Sequence, residues 1–177
     1  GKDKVLPKVD EIKKILESKD IRAHVDDRSG LSPGYKFNDW ELKGVPIRIE
    51  IGPKDIEKQS IVIAKRYNRE KSSLGFAEIE KIPVILDEIQ NEMLKIAQEQ
   101  ADTNSYEISD YTEFKSKIEG GGFFNAPWCG KLECEEKIKE ETGADIRVIP
   151  FGSENSNLKC AYCQKQSMSV PVFARGY

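Results

Sequence analysis

The sequence has one histidine, no cysteine before position 129, and no apolar run near the roughly 18 residues that a membrane-crossing helix needs. The lone His24 has no catalytic partner at motif spacing and reads as a strand residue beside Asp26. No Gly-x-Ser-x-Gly turn, phosphate-binding loop or paired-carboxylate motif is present. Gly120-Gly121-Gly122 is a hinge or turn, because no Lys-Ser/Thr pair follows it to hold a phosphate. Internal repeats and low-complexity stretches are missing too. The first residues, Gly1-Lys2-Asp3-Lys4, offer neither a start Met nor the apolar core of a signal peptide, so they read as a processing boundary. A cytoplasmic location with no membrane partner is expected.

What is present is the composition of an ordinary globular protein, with 38% hydrophobic and 33% charged residues in 177. That length suits one domain or two small ones. The net charge of -3 argues against a general nucleic-acid binder, but its distribution is uneven. Arg28 to Lys71 holds ten Lys or Arg against six Asp or Glu, whereas Ala77 to Thr142 holds seven against sixteen. A structured RNA attracted by the first stretch and repelled by the second would dock in a fixed orientation. The alternative is two solvated faces.

Val5, Val9, Ile12 and Leu16 form a helical stripe that leads into strand-like alternation at Ile21 to Val25. Asp26 to Gly30 reads as a turn, and Ser60 to Lys65 as a further strand. Ile82, Ile85, Leu86, Ile89, Met93, Ile96 and Ala97 recur at helical spacing, with Pro83 tolerable only in a first turn, so a long connecting helix should start near Ile82. Asp110 and Glu113 look like a capping box for another helix. Phe123 to Trp128 then predicts a strand, Glu133 to Thr142 a helix, and Ile146 to Phe151 and Val170 to Ala174 two more strands. The fold class expected is an α/β domain followed by a small α+β domain, with boundaries 1–76, 77–103 (the connecting helix) and 104–177.

The four cysteines fall in two close pairs, Cys129-x4-Cys134 and Cys160-x2-Cys163, the spacing by which two loops supply a tetrahedral ion. Four thiolates on Zn²⁺ leave a charge of about -2, and Lys131, Lys159 and Lys165 lie near in sequence to offset it. Disulfides and free buried thiols are the competing readings. Ala126-Pro127-Trp128-Cys129-Gly130 imitates a thioredoxin-type redox site, but its second cysteine comes too late, at Cys134. Cys160-Ala161-Tyr162-Cys163 has redox spacing without a visible βαβ setting.

The richest segment is SPGYKFNDWELKGVPIRIEIGPKD, Ser32 to Asp55. Ser32-Pro33-Gly34 makes a turn, and a short helix from Tyr35 to Leu42 puts Phe37 and Trp40 on one face, as a buried face requires. Gly44 suits its stop. Ile47, Ile49 and Ile51 alternate with Arg48 and Glu50, a half-buried strand with one polar face, and Gly52-Pro53 ends it. The words SPGYKFNDWELKGVP and RIEIGPKD resemble the anticodon-binding domain of archaeal and eukaryotic-like prolyl-tRNA synthetases. The resemblance continues in APWCGKLECEEKIKEETGADIRVIPF, in the cysteine spacing, and in the terminal Phe173-Ala174-Arg175-Gly176-Tyr177. It is loose only from Ser72 to Ser109.

That resemblance implies a mixed sheet flanked by helices, opened by one more strand that this sequence does not contain. It implies that Glu41, Arg48, Lys54 and Asp55 read the guanines of a proline anticodon, and that Cys129, Cys134, Cys160 and Cys163 hold structural zinc. A carboxylate suits guanine N1-H and N2-H, while Arg or Lys suits O6 and N7. Residues alone also allow simple ion pairs, Glu41 with Arg48 or Lys54 with Asp55. The resemblance further implies tRNA(Pro), a catalytic domain and a homodimer mate as partners, ATP and Mg²⁺ in a catalytic core absent here, and Tyr177 bracing that core. The class II arginine motifs for amino-acid activation do not appear, so this segment alone should be inactive. Competing expectations are the anticodon domain of another class II synthetase, threonyl or histidyl, and a zinc-stabilised protein-interaction module.

Overall fold

A computed structural model describes residues 2–154 and 157–176. Tyr177, expected to brace a catalytic core, lies outside the described residues. The chain divides into two compact units, Gly1–Ile96 and Ala97–Tyr177.

In the first unit, helix α1 (Lys2–Glu17) buries Ile12 and Leu16 and half-buries Val5 and Val9, as its stripe requires. Helix α2 spans Pro33–Leu42, two residues longer at its start than expected, because Ser32 caps it: the Ser32 hydroxyl accepts the Tyr35 N–H. Three strands follow, β1 (Ile47–Glu50), β2 (Ser60–Lys65) and β3 (Lys71–Gly75), in the order β1-β2-β3. Both ladders are antiparallel, so the parallel pairing of a mixed sheet is not formed among these strands. The strand expected at Ile21 to Val25 is unpaired. Ile21 and Ala23 do pack on the core, so the alternation marks which side chains face inward, while a ladder also needs a neighbouring strand.

Helix α3 (Pro53–Glu57) joins β1 to β2 and was not foreseen. Its start is fixed by Asp55, whose carboxylate accepts the Gly52 N–H at 2.8 Å. A 3-10 turn at Phe76–Lys81 leads into α4 (Ile82–Thr103), which begins where Pro83 predicts. The boundary between the units falls within this helix. The core of the first unit is aliphatic: Ile12, Leu16, Ile61, Ile63, Ile79 and Ile82.

The second unit carries β4 (Ser105–Glu107), α5 (Tyr111–Ile118), β5 (Phe123–Asn125), α6 (Leu132–Thr142), β6 (Ala144–Val148) and β7 (Val172–Arg175). The sheet order is β4-β5-β7-β6, with β4-β5 parallel and the rest antiparallel. Asp110 caps α5, accepting N–H groups of Thr112 and Glu113 at 2.9 and 3.0 Å, whereas the Glu113 carboxylate turns to Lys117 at 2.7 Å. The glycine triplet is a turn: Gly122 has φ +118°, and a Cβ there would lie 2.6 Å from the Asn104 carbonyl oxygen. β5 ends at Asn125 ahead of Pro127, though Trp128 still bridges to Ser169. β6 starts two residues earlier than expected, because Gly143, at φ +72°, turns the chain straight from α6 into the strand. Phe114 meets the rings of Phe124 and Phe173 edge-on at 5.6 and 5.7 Å, and these three phenylalanines fill the core.

Candidate nucleic-acid interface and metal centre

Antiparallel register aligns Arg48 of β1 with Ala64 of β2, and Ala64 with Lys71 of β3. The three share the face opposite to Ile49 and Ile63, and the small Ala64 leaves space between two cations. Helix α2 supplies the other wall with Phe37, Asn38 and Glu41. The resulting cleft has a volume of about 300 Å³ and is also lined by Lys65 and Arg69.

Arg48 is fixed in this cleft on three sides. Its Nη1 donates to Glu41 Oε1 at 2.7 Å, its Nε donates to Glu50 Oε1 at 3.0 Å, and its guanidinium lies 3.9 Å from the centre of the Phe37 ring. Lys71 in turn reaches Glu50 at 2.9 Å. Partial burial works against ionisation of Glu50, but the hydrogen bonds from Lys71 and Arg48 outweigh it and lower its pKa. Among the expected reading residues, Glu41 and Arg48 are therefore together. Lys54 and Asp55 sit in the first turn of α3 and do not line the cleft. Asp55 spends one oxygen on the Gly52 cap.

Phe37 and Trp40, expected as a buried face, both stay outside the aliphatic core. Phe37 carries Arg48. The Trp40 indole N–H donates to Asp26 at 2.9 Å, while its ring takes His24 at 4.5 Å and the Lys43 ammonium at 4.3 Å. Their i, i+3 spacing was legible, but not the polar partners that the Asp26 loop and β1 bring to them. Hydrogen bonds from Arg28 and Trp40 hold Asp26 far below the usual carboxylate range against its desolvation. Sequence reasoning also missed Arg69 and Lys71 as lining residues, since no hairpin was read beyond Lys65.

In the second unit, two turns converge. Cys129 lies just before α6 and Cys134 in its first turn, and Cys160 and Cys163 come from the loop before β7. The four sulfurs lie within 4.8 Å of one another. Cys129 Sγ is 3.5 Å from Cys134 Sγ and 3.6 Å from Cys163 Sγ, and no disulfide is formed. A zinc ion about 2.3 Å from each sulfur would set neighbouring sulfurs about 3.8 Å apart, so the cluster fits such an ion. Backbone carbonyls help shape the turns. The Lys131 carbonyl accepts the Cys134 N–H at 3.1 Å and the Trp128 indole N–H at 3.2 Å, and the Lys165 carbonyl accepts the Cys160 N–H at 2.7 Å. Burial, then the thiols of Cys129 and Cys163, push the Cys134 pKa up, and burial raises Cys160. At Cys163 burial also opposes ionisation, but the Lys165 backbone and neighbouring thiols bring the pKa down to about 7. Such a group could hold a cation.

Comparison with known proteins matches each unit to a family. Residues 1–86 match the family described as anticodon binding domain, which defines the class of the first unit. Residues 111–177 match the family described as prolyl-tRNA synthetase, C-terminal. The chain belongs to the prolyl-tRNA synthetase family and corresponds to its C-terminal part. A proline–tRNA ligase from Cenarchaeum symbiosum is 48% identical over 158 residues, covering 89% of this chain and 33% of that protein. One from Acetoanaerobium sticklandii is 45% identical, covering 100% and 37%. A solved prolyl-tRNA synthetase from Cryptosporidium parvum, complexed with halofuginone and AMPPNP, superposes with TM-score 0.85 at 34% identity, covering 98% of this chain and 37% of that one. The chain thus spans about a third of the length of these relatives. Among the described residues no helix is long and apolar enough to cross a membrane.

Proposed function

We propose that this chain selects tRNA(Pro) for a proline–tRNA ligase, with residues 1–76 as the anticodon reader, 77–103 as the connecting helix and 104–177 as a zinc-stabilised domain. The observation that carries this is the Glu41–Arg48 pair laid on Phe37 in a cleft of nucleotide size. Glu41 accepts the N1-H and N2-H of a guanine, and Arg48 donates to O6 or N7 of the same or the adjoining base. Lys54 and the free oxygen of Asp55 serve a second guanine. Cys129, Cys134, Cys160 and Cys163 hold Zn²⁺, which when bound ties the two turns together. Joining proline to tRNA with Mg²⁺-ATP belongs to the remainder of a cytoplasmic homodimeric enzyme, where Tyr177 braces the catalytic domain.

The test is titration of the chain with a labelled proline anticodon stem-loop, beside loops with each guanine changed to adenine, at two salt concentrations. Base reading predicts a cost of about 1 to 3 kcal/mol per change. Arg48→Ala should lose a similar amount, about 1 to 3 kcal/mol, for the cognate loop and relax discrimination at one base. Equal weakening for every loop would demote Arg48 to a phosphate contact. A second reading, a protein-interaction module, draws on the exposed Val148, Ile149 and Phe151 of the second unit. It gains if the folded chain binds no loop.

A further inference from the structure

The β2–β3 hairpin carries a cation that the base-reading set does not use. Arg69 lines the cleft, is exposed and has no ion-pair partner among the described residues. The other cations along the cleft are engaged: Arg48 by Glu41 and Glu50, Lys71 by Glu50, and Lys65 by Glu70 at 3.9 Å.

The turn that presents Arg69 is cross-linked by hydrogen bonds. Asn68 accepts the Glu70 N–H at 3.0 Å and donates its side-chain amide to the Glu70 carboxylate at 3.2 Å, while the Lys65 N–H closes the loop onto the Glu70 carbonyl at 2.9 Å. The Tyr67 hydroxyl is tied to Glu92 of α4. Arg69 itself takes φ +60°, a left-handed conformation uncommon for a non-glycine residue. A free guanidinium on a hydrogen-bonded turn, at the rim of a cleft floored by an Arg and an aromatic ring, has the arrangement of a backbone clamp beside a base pocket.

We propose that Arg69 binds a backbone phosphate of the nucleotide whose base enters the Phe37–Arg48 cleft. The site is thereby divided into a base-reading floor and a phosphate-holding rim. This rests on the RNA-binding reading above. A phosphate contact carries no base information, so its loss weakens every loop alike.

Arg69→Gln and, as control, Lys13→Gln are titrated with the cognate stem-loop and a guanine-substituted one across a salt series. Lys13 lies on α1, away from the cleft, and its removal takes the same charge from the same unit. The expected result for Arg69→Gln is a several-fold loss shared equally by both loops, with the slope of log K against log salt shallower by about 0.7. The control should keep the wild-type slope. A slope for Arg69→Gln equal to wild type, or a loss confined to the cognate loop, overturns the phosphate role while leaving base reading intact. Failure of the wild-type chain to bind or discriminate the loops overturns both.

Discussion

The two units build their cores from different side chains. In the second, Phe114, Phe124 and Phe173 are each at most 1% exposed and make the core. In the first the core is aliphatic, and Phe37 and Trp40 face cations and carboxylates at the surface. A ring outside a core that is complete without it is available for contact with a partner. The second unit instead buries three phenylalanine rings against a small sheet with short strands.

The sharpest way to break this contrast is to remove the zinc proposed at the four thiols. Structural zinc contributes about 10 to 16 kcal/mol of apparent binding energy in small peptides, so chelation or Cys160→Ser should abolish the cooperative transition of the second unit. Melting followed by circular dichroism with and without chelator checks this, and an unchanged melt would make the thiols mere packing. Next in size, Phe124→Ala should cost about 3 to 5 kcal/mol by denaturant titration. Phe37→Leu should behave oppositely, with little change in stability but RNA affinity lowered by about 0.5 to 2 kcal/mol through loss of the platform under Arg48. Equal affinity of the Leu variant would return Phe37 to a packing role.

The smallest effect is expected from acid. Asp26 is lowered by hydrogen bonds from Arg28 and Trp40, Asp39 by those from Lys43 and Arg28, and Glu50 by those from Lys71 and Arg48 against its burial. Their folded pKa values lie below the unfolded ones, so their stabilisation is complete above about pH 5 and fades as pH falls through the lowered values. Side-chain carboxyl NMR titration of the chain should show these three ionised after exposed carboxylates have protonated. Ordinary midpoints would show that the network around Arg28 and Arg48 is loose in solution.

Much of this molecule is legible in its sequence. Local rules place α1, β2 and the starts of α4 and α5, because a helical stripe, alternating isoleucines, a first-turn proline and an Asp cap act over a few residues. Cysteine spacing likewise marks two turns suited to one ion, and period-two alternation puts Arg48 on a polar strand face. Strand pairing is different in kind. Ile21 to Val25 alternates as a strand yet has no ladder, and Lys71 to Gly75 is half of a hairpin although its Lys-Ser-Ser start lacks apolar alternation.

Only tertiary structure decided that Ala64 stands between Arg48 and Lys71, that Phe37 lies under a guanidinium, and that four sulfurs separated by up to 34 positions meet within 4.8 Å. Side-chain periodicity is set by neighbours on the chain, whereas register and convergence are set by which surfaces exclude water together. The sequence by itself determined most of the helices and the kinds of groups the elements carry; folding decided which strands pair and which groups share a cleft.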